Sequence, residues 1–452
     1  MTPTTIFRPL AAATALSVML FSVPGAAATL PDDLANDVNI SYNKLLHTFY
    51  HPVDEQQLLD AARKAIADDA HTHGVKLAVA PIKASVDDTA MYDALDRAVA
   101  DAADAAHVAP SEVAYAAING MAKAVDDKYT AFMDPTDFQK FKDQLDPEKI
   151  SGIGVMIEGD VNSKMIDITY VMPNTPAEHA GLQSGDVITA IDGTPTKGLG
   201  KDPIAEGDAA SAMLRGKAGT VVRLDITRGG SAQPQITIAR SELQPPTVVY
   251  KMLPGNIGYV YVIAFGQETP TEFDAALRRL RDQDVKAIVL DLRNDGGGYV
   301  QSALLISSRF IADKPLLTVQ ERGRPDDTIP AEEDGVMINV PVNILVNAYT
   351  ASASEIAAGA LQDDGIAQLV GTRTYGKGVM QTLTQLPDGA AIKITTAHYL
   401  TPSGRDINLK GIDPDVKVDE NKDSRIGDVA KDPQLKAAID LLQKKIATAT
   451  RP

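Results

Sequence analysis

Two stretches of this chain carry residue types that could act as a nucleophile and its base. The first, Asn347 to Leu361, reads NAYTASASEIAAGAL, and places Ser352 and Ser354 between an apolar, strand-like run (PVNILV) and an Ala-rich, helix-like run. A serine at a sharp strand-to-helix turn stands exposed on top of a sheet. There, backbone N–H groups and the helix dipole favour a developing negative charge. The G-x-S-x-G elbow pattern itself is absent. The same residues also fit a plain capping box, S-x-x-E, from Ser352 to Glu355. Local sequence leaves both readings open.

A nucleophilic serine needs a base. Of the histidines His47, His51, His71, His73, His107, His179 and His398, only His398 falls in the strand–helix region, inside AIKITTAHYL. Nothing else supports a Ser-His-acid triad there, so the expectation for His398 is a packed or solvent-facing strand residue. The second stretch, GTRTYGKGVMQ (371–381), sets Lys377 between Gly376 and Gly378, which lets the backbone approach another element closely. A lysine in a dry pocket gives up its charge more easily and can serve as a general base, as in Ser-Lys variants of the triad. Without such a pocket it is a solvated surface charge. A third run, LDLRNDGGGYV (290–300), puts three glycines between a strand and a helix. It could cradle a phosphate, donate an oxyanion-hole N–H or simply turn the chain. The G-x-x-x-x-G-K-[ST] pattern is missing, which weakens the nucleotide reading.

Elements of three kinds surround these stretches. Residues 30–145 read as helices, LANDVNISYNKLLHTFY, DEQQLLDAARKAIADDA, DTAMYDALDRAVADAADAA and SEVAYAAINGMAKAVDD, separated by Pro52, Pro81 and Pro110. Residues 151–240 alternate short β-type runs with Gly and Pro turns, interrupted by one helix-like piece, PIAEGDAASAMLRG. From about 245 strands alternate with helices, the mark of α/β layering, and an amphipathic helix closes the chain at 429–447. The fold class expected is multidomain α+β.

Composition narrows the function. A net charge of -17 argues against nucleic acid and anionic membranes as partners. With no cysteine, disulfides, zinc-thiolate sites and a cysteine nucleophile are excluded. Arg8, the apolar run Leu10–Val23 and Gly25-Ala26-Ala27-Ala28 read as a signal peptide cleaved before Thr29. The apolar run is short for a membrane span, so the mature form is expected to be periplasmic without an integral span, membrane association being the alternative.

Taken together, the three stretches resemble the carboxyl-terminal processing peptidases, or tail-specific proteases. Ser352-Ala-Ser-Glu-Ile and Lys377 in Tyr-Gly-Lys-Gly match that family's Ser-Lys motifs, with the same 25-residue separation. The segment 291–298, DLRNDGGG, resembles the family's DLRxNPGG, with Gly296 in place of the usual proline. Thr401-Pro-Ser-Gly-Arg and Gly411-Ile-Asp-Pro-Asp-Val416 also match. The resemblance implies Ser352 as nucleophile, Lys377 as general base, Gln381 as the residue that orients the lysine, and an oxyanion hole from the N–H groups of Gly298 and Ala353. It gives Glu355 a supporting role and requires no cofactor or metal.

Residues 151–240 resemble the PDZ domain inserted in this family, through Pro176-Ala-Glu-His-Ala-Gly-Leu-Gln-Ser-Gly-Asp-Val-Ile188 and Gly152-Ile-Gly-Val155. A bound C-terminus needs free N–H donors and an open sheet edge. Ile153, Gly154 and Val155 are expected to supply the donors, with Ala209 and Met213 lining an apolar groove. Arg215 falls on a position implied to couple the PDZ domain to the core. The layout expected is a signal peptide at 1–28, an N-terminal helical domain at 29–147, the PDZ domain (a small β-sandwich or barrel with helices) at 148–241, an α/β peptidase core at 242–425 and a C-terminal helical tail at 426–452. The helix-forming sequence at 30–110 exceeds what a minimal member needs and points to a homo-oligomer or an adaptor protein. The implied partners are proteins or peptides with accessible C-termini. The rival readings are a non-catalytic PDZ tether and a peptidase inactive until an adaptor binds.

Overall fold

The structure is a computed structural model that describes residues 29–84, 88–160, 165–333, 335, 337–421 and 427–449. The signal-peptide expectation for 1–28 lies outside them. Two compact units divide the chain: one ends at Tyr42 and resumes for Asp54–Ala124, the other comprises Asn43–Val53 and everything from Val125 onward.

The first unit is helical. Helices Asp32–Thr48, Glu55–Thr72, Asp88–Ala106 and Pro110–Ala124 follow one another. Asp54 caps the second by accepting the Gln57 N–H at 2.8 Å, and Pro110 starts the fourth. Apolar side chains at helical spacing, among them Leu58, Leu59, Ala62 and Ile66, are buried. Where the second and fourth helices meet, a Cβ on Gly120 would lie 2.6 Å from the Ala65 Cβ, so that close packing depends on the missing side chain.

The second unit begins with a short strand, Ala131–Met133, and a helix, Pro135–Leu145, before the PDZ-like module. That module is built on strands Val155–Gly159, Ile166–Val171, Val187–Ile191 and Val221–Arg228, paired in that order. Alternation decides its inner face: Ile166, Ile168 and Tyr170 are buried while the residues between them are half-exposed. Helix Pro203–Leu214, capped by Asp202, packs beside the first strand.

The remainder is a six-stranded sheet in the order 248–253, 257–262, 287–291, 342–346, 367–371, 416–417. Its first pair is antiparallel and the others are parallel. Helices Thr269–Arg281, Val300–Ser308 and Ala353–Asp363 cover one face, packing on Val260, Ile288, Ile344 and Leu369. Helix Pro433–Ala449 covers the other, with Leu435, Ala438 and Leu442 against Tyr259, Val289 and Leu345. Burial on both faces explains why PVNILV is apolar without alternation.

A second sheet was not anticipated from sequence. Strand Ala391–Leu400 lies at its centre and pairs with Ala131–Met133, Val379–Gln385 and Pro315–Glu321. Residues 131–145, read above with the N-terminal helices, thus belong to the second unit. The first sheet presents Ser352 and the second presents Lys377.

Candidate active site

Strand Val342–Val346 ends at a tight segment that runs into helix Ala353–Asp363. Asn347 builds the corner, its Oδ1 accepting the N–H groups of Asn294 at 3.0 Å and Tyr349 at 3.1 Å. Ser352 caps the helix with φ 59° and ψ -118°, a conformation that side chains disfavour. Such a backbone costs about 1–3 kcal/mol and persists only when its surroundings hold it.

Glu355 does much of the holding. Fully buried, its carboxylate accepts four hydrogen bonds, from Ser352 N–H at 3.0 Å, Lys377 N–H at 2.8 Å, Gly376 N–H at 2.7 Å and Thr374 Oγ at 2.5 Å. Glu355 therefore ties the serine turn to the lysine loop as well as completing a helix start. Tyr399 makes a second tie, its buried hydroxyl reaching the carbonyl oxygens of Lys377 at 2.8 Å and Ser352 at 3.2 Å. The lysine loop is pressed against a third segment: a Cβ on Gly376 would lie 2.7 Å from the Gly411 nitrogen, and one on Gly378 2.7 Å from that of Asn408.

Ser352, Lys377, Gln381, Gly298, Asp295 and Lys393 line one cavity of about 510 Å³. The Lys377 ammonium lies 5.4 Å from the centre of the Tyr129 ring. Burial is the main force pulling its pKa down to about 8; the nearby Lys393 charge adds to this, while Glu355 and Asp127 oppose it. A lysine in that range is partly neutral at mildly alkaline pH and can take a proton. Gln381 follows a β-bulge after Met380, and its Nε2 is buried without a partner. Among the described residues no hydrogen bond joins Ser352 Oγ, Lys377 Nζ and Gln381 Nε2.

The glycine run crosses directly over the serine turn. A Cβ on Gly297 would sit 2.9 Å from the Ser352 Cβ, and one on Gly298 would sit 2.3 Å from the Phe265 carbonyl oxygen. Phe265 fixes this loop by donating to Gly297 O at 3.1 Å and accepting from Tyr299 N–H at 2.7 Å. Among the described residues neither the Gly298 nor the Ala353 N–H has an acceptor. Two free donors thus flank the serine, as stabilising an oxyanion requires. Gly296, where the family carries proline, has open space around its Cβ position, and the loop is held without it. Arg293, just upstream, is anchored by Asp291, Asp432 and Gln434.

His398 lies outside this cavity, its ring 4.6 Å from that of Tyr50 and its pKa lowered by burial. Sequence reasoning missed Asp295, Lys393 and Tyr399. For Asp295 a signal was present: DLRxNPGG has asparagine at that position. Lys393 and Tyr399 come from the unforeseen sheet and gave no local cue.

In the PDZ-like module strand Val155–Gly159 pairs with Ile166–Val171 and, among the described residues, leaves its other edge open. A groove of about 710 Å³ runs there between the strand and helix Pro203–Leu214, lined by Val155, Ile157, Ile204, Gly207, Ser211 and Arg215. Ala209 and Met213, expected along such a groove, are not among its lining residues. Gly207, Ser211 and Arg215 recur every four residues on the groove face, and Ala209 and Met213 fall off that stripe. Met213 packs on the module's core instead. Of the three residues expected to supply N–H donors, Ile153 has its side chain in the core, Gly154 turns at φ 89° against Thr175, and Val155 also lines the groove.

Residues 256–418 match peptidase family S41, and residues 168–228 match a PDZ domain. The chain is 34% identical to the carboxyl-terminal-processing protease of Picosynechococcus over 343 residues, 74% of this chain and 80% of that one. It is 34% identical to the carboxy-terminal processing protease CtpA of Bacillus subtilis, covering 71% of this chain and 66% of the relative. A CtpA-like serine protease of Staphylococcus saprophyticus is 36% identical over 68% of this chain, and the match spans 61% of that protein's length.

Proposed function

This chain belongs to peptidase family S41, among its carboxyl-terminal processing proteases, and on that footing we propose that it is an exported Ser-Lys endopeptidase acting on polypeptides held by their C-termini. The observation that carries the reading is the cavity that Ser352, Lys377 and Gly298 line together, with the free Ala353 N–H next to the serine in the chain. Substrate enters as an added strand along Val155–Gly159, its terminal side chains in the groove. Ser352 Oγ attacks the scissile carbonyl while neutral Lys377 takes its proton, and the oxyanion rests on the N–H groups of Gly298 and Ala353. The tetrahedral intermediate collapses as Lys377 returns the proton to the leaving amine. Water, deprotonated by Lys377, then hydrolyses the ester. Gln381, which lines the same cavity, is the residue assigned in this proposal to orienting the lysine.

Among the described residues no helix is long and apolar enough to cross a membrane. Export to the periplasm, homo-oligomerisation and an adaptor remain parts of the proposal. A second reading is activation by an adaptor, since among the described residues no hydrogen bond joins Ser352 Oγ and Lys377 Nζ. The test is cleavage of a loosely folded protein with an apolar C-terminal tail by wild type, Ser352→Ala and Lys377→Ala, each checked for folding. Loss in both variants supports the peptidase, and cleavage by both removes this site from the mechanism. Tail binding without cleavage by wild type favours a tether or a missing activator.

A further inference from the structure

Asp295 lines the Ser352 cavity, yet the mechanism above leaves it idle. It has no solvent exposure. Its Oδ1 accepts the Gly297 N–H at 2.8 Å, and its Oδ2 is buried without a partner. Its backbone carbonyl accepts the Ala351 N–H at 3.0 Å and Ser354 Oγ at 3.1 Å. One residue thus grips the glycine loop with its side chain and the serine turn with its main chain. An ionised carboxylate is poorly served by one hydrogen bond and a bare oxygen in a dry site, whereas the un-ionised acid loses far less on burial.

Among the described residues no cation forms an ion pair with Asp295. Lys377 and Lys393 line the same cavity, Glu355 lies on the serine helix, and Tyr261 and Tyr299 come from flanking segments. Asp291 and Arg293 precede Asp295 in the chain, and Arg293 is engaged by Asp291 and Asp432. Burial raises the Asp295 pKa to about 8, against smaller opposing effects from Gly297 and Ser354.

We propose that Asp295 is a positioning residue that works only as the neutral acid. Its Oδ1 holds the Gly297 amide and so aims the Gly298 N–H at the oxyanion, and un-ionised it does so without adding a charge. Ionised, it sets a negative charge beside the negative charge that the site must stabilise. The inference rests on the Ser352–Lys377 mechanism for its kinetic consequence. Lys377 must lose its proton and Asp295 must keep its own, and both titrate near 8. At pH 8 about a quarter of the molecules carry both groups in the working state, and activity follows a narrow bell.

The experiment compares wild type with Asp295→Asn, which mimics the neutral acid, in kcat/KM from pH 6 to 10 and in urea stability at the same pH values. Both are expected to share the rising limb. Above pH 8 the wild type falls and the variant stays level, so at pH 9.5 the variant is about 30-fold faster. Because the folded-state pKa is raised, wild type loses stability relative to the variant as pH climbs from the ordinary aspartate range to about 8, then no further. An identical alkaline limb in the two proteins, or a stability difference that is flat above pH 6, overturns the proposal. If wild type cleaves nothing at any pH, the peptidase reading fails, and the stability arm still decides the state of Asp295. If the variant does not fold, carboxyl NMR of aspartate-labelled wild type takes its place: one carboxyl titrating near pH 8 is expected, and none above pH 6 overturns the proposal.

Discussion

Glu355→Gln swaps one carboxylate oxygen for an NH2 group at a position where every neighbour is a donor. Oε2 receives Ser352 and Lys377, and Oε1 receives Gly376 and Thr374. Either orientation of the amide points NH2 at two donors. The less costly one faces Gly376 and Thr374, because the Thr374 hydroxyl can rotate to accept while still receiving the Ile412 N–H at 2.7 Å. Gly376 then loses its acceptor, costing about 2–3 kcal/mol for a bond to a charged group. The two remaining bonds drop from charge-assisted to neutral, about 1 kcal/mol each. The sum is a loss of about 4 kcal/mol, read as a lower urea midpoint at unchanged slope. Activity falls as well, because the lysine loop loses its link to the serine turn. A displacement of about 1 Å is worth roughly 100-fold in rate, appearing in kcat more than in KM. A helix cap alone is worth about 1 kcal/mol and has no reason to move kcat. Stability within 1 kcal/mol of wild type, with kcat intact, would refute the claim that Glu355 couples the two catalytic segments.

Three further outcomes are expected. Lys393→Met removes a charge that helps to depress Lys377, so the rising limb of the pH–rate profile moves to higher pH; an unmoved limb contradicts that role. Arg293→Met leaves Asp291 and Asp432 buried without their counter-ion and lowers stability by about 3–5 kcal/mol in urea unfolding. Gly207→Leu projects a side chain into the groove from a position whose nearest neighbour to a new Cβ is the Gly159 nitrogen at 3.7 Å. Binding of tail peptides, followed by fluorescence anisotropy, weakens at least about tenfold, while cleavage of short peptides that do not reach the groove is unchanged.

Local pattern was enough wherever an element declares itself in its own residues. The apolar run before Asn347 and the Ala-rich run after Ser352 located the serine turn, and Gly376 and Gly378 marked a loop under close contact. Pairing partners were not legible. Nothing in Ala391–Leu400 says that it pairs with Val379–Gln385 along one edge and with Ala131–Met133 and Pro315–Glu321 along the other, so the neighbours it brings to the site, Lys393 and Tyr399, stayed out of view. Glu355 illustrates the same limit: S-x-x-E describes four residues of local geometry, whereas the bonds to Thr374, Gly376 and Lys377 cross a gap of about twenty residues that only the fold closes. In the PDZ-like helix the period was readable but its phase was not. Ala209 and Met213 look suited to an apolar groove, and their true side is fixed by which face meets the neighbouring strand.

Arg293 ends on Asp432, at the head of the last helix, where Asp432 also caps the Leu435 N–H at 3.0 Å. A chain still emerging from a ribosome or a translocation pore holds Ser352 and Lys377 well before it holds Asp432. Until that helix docks, Arg293 lacks one of its two anions, and the sheet beneath the glycine loop lacks the layer of Leu435, Ala438 and Leu442. The enzyme we propose is therefore born unfinished. Its nascent form, like a copy clipped ahead of Asp432, holds both reactive side chains without the ion pair and the packed layer that the last helix brings.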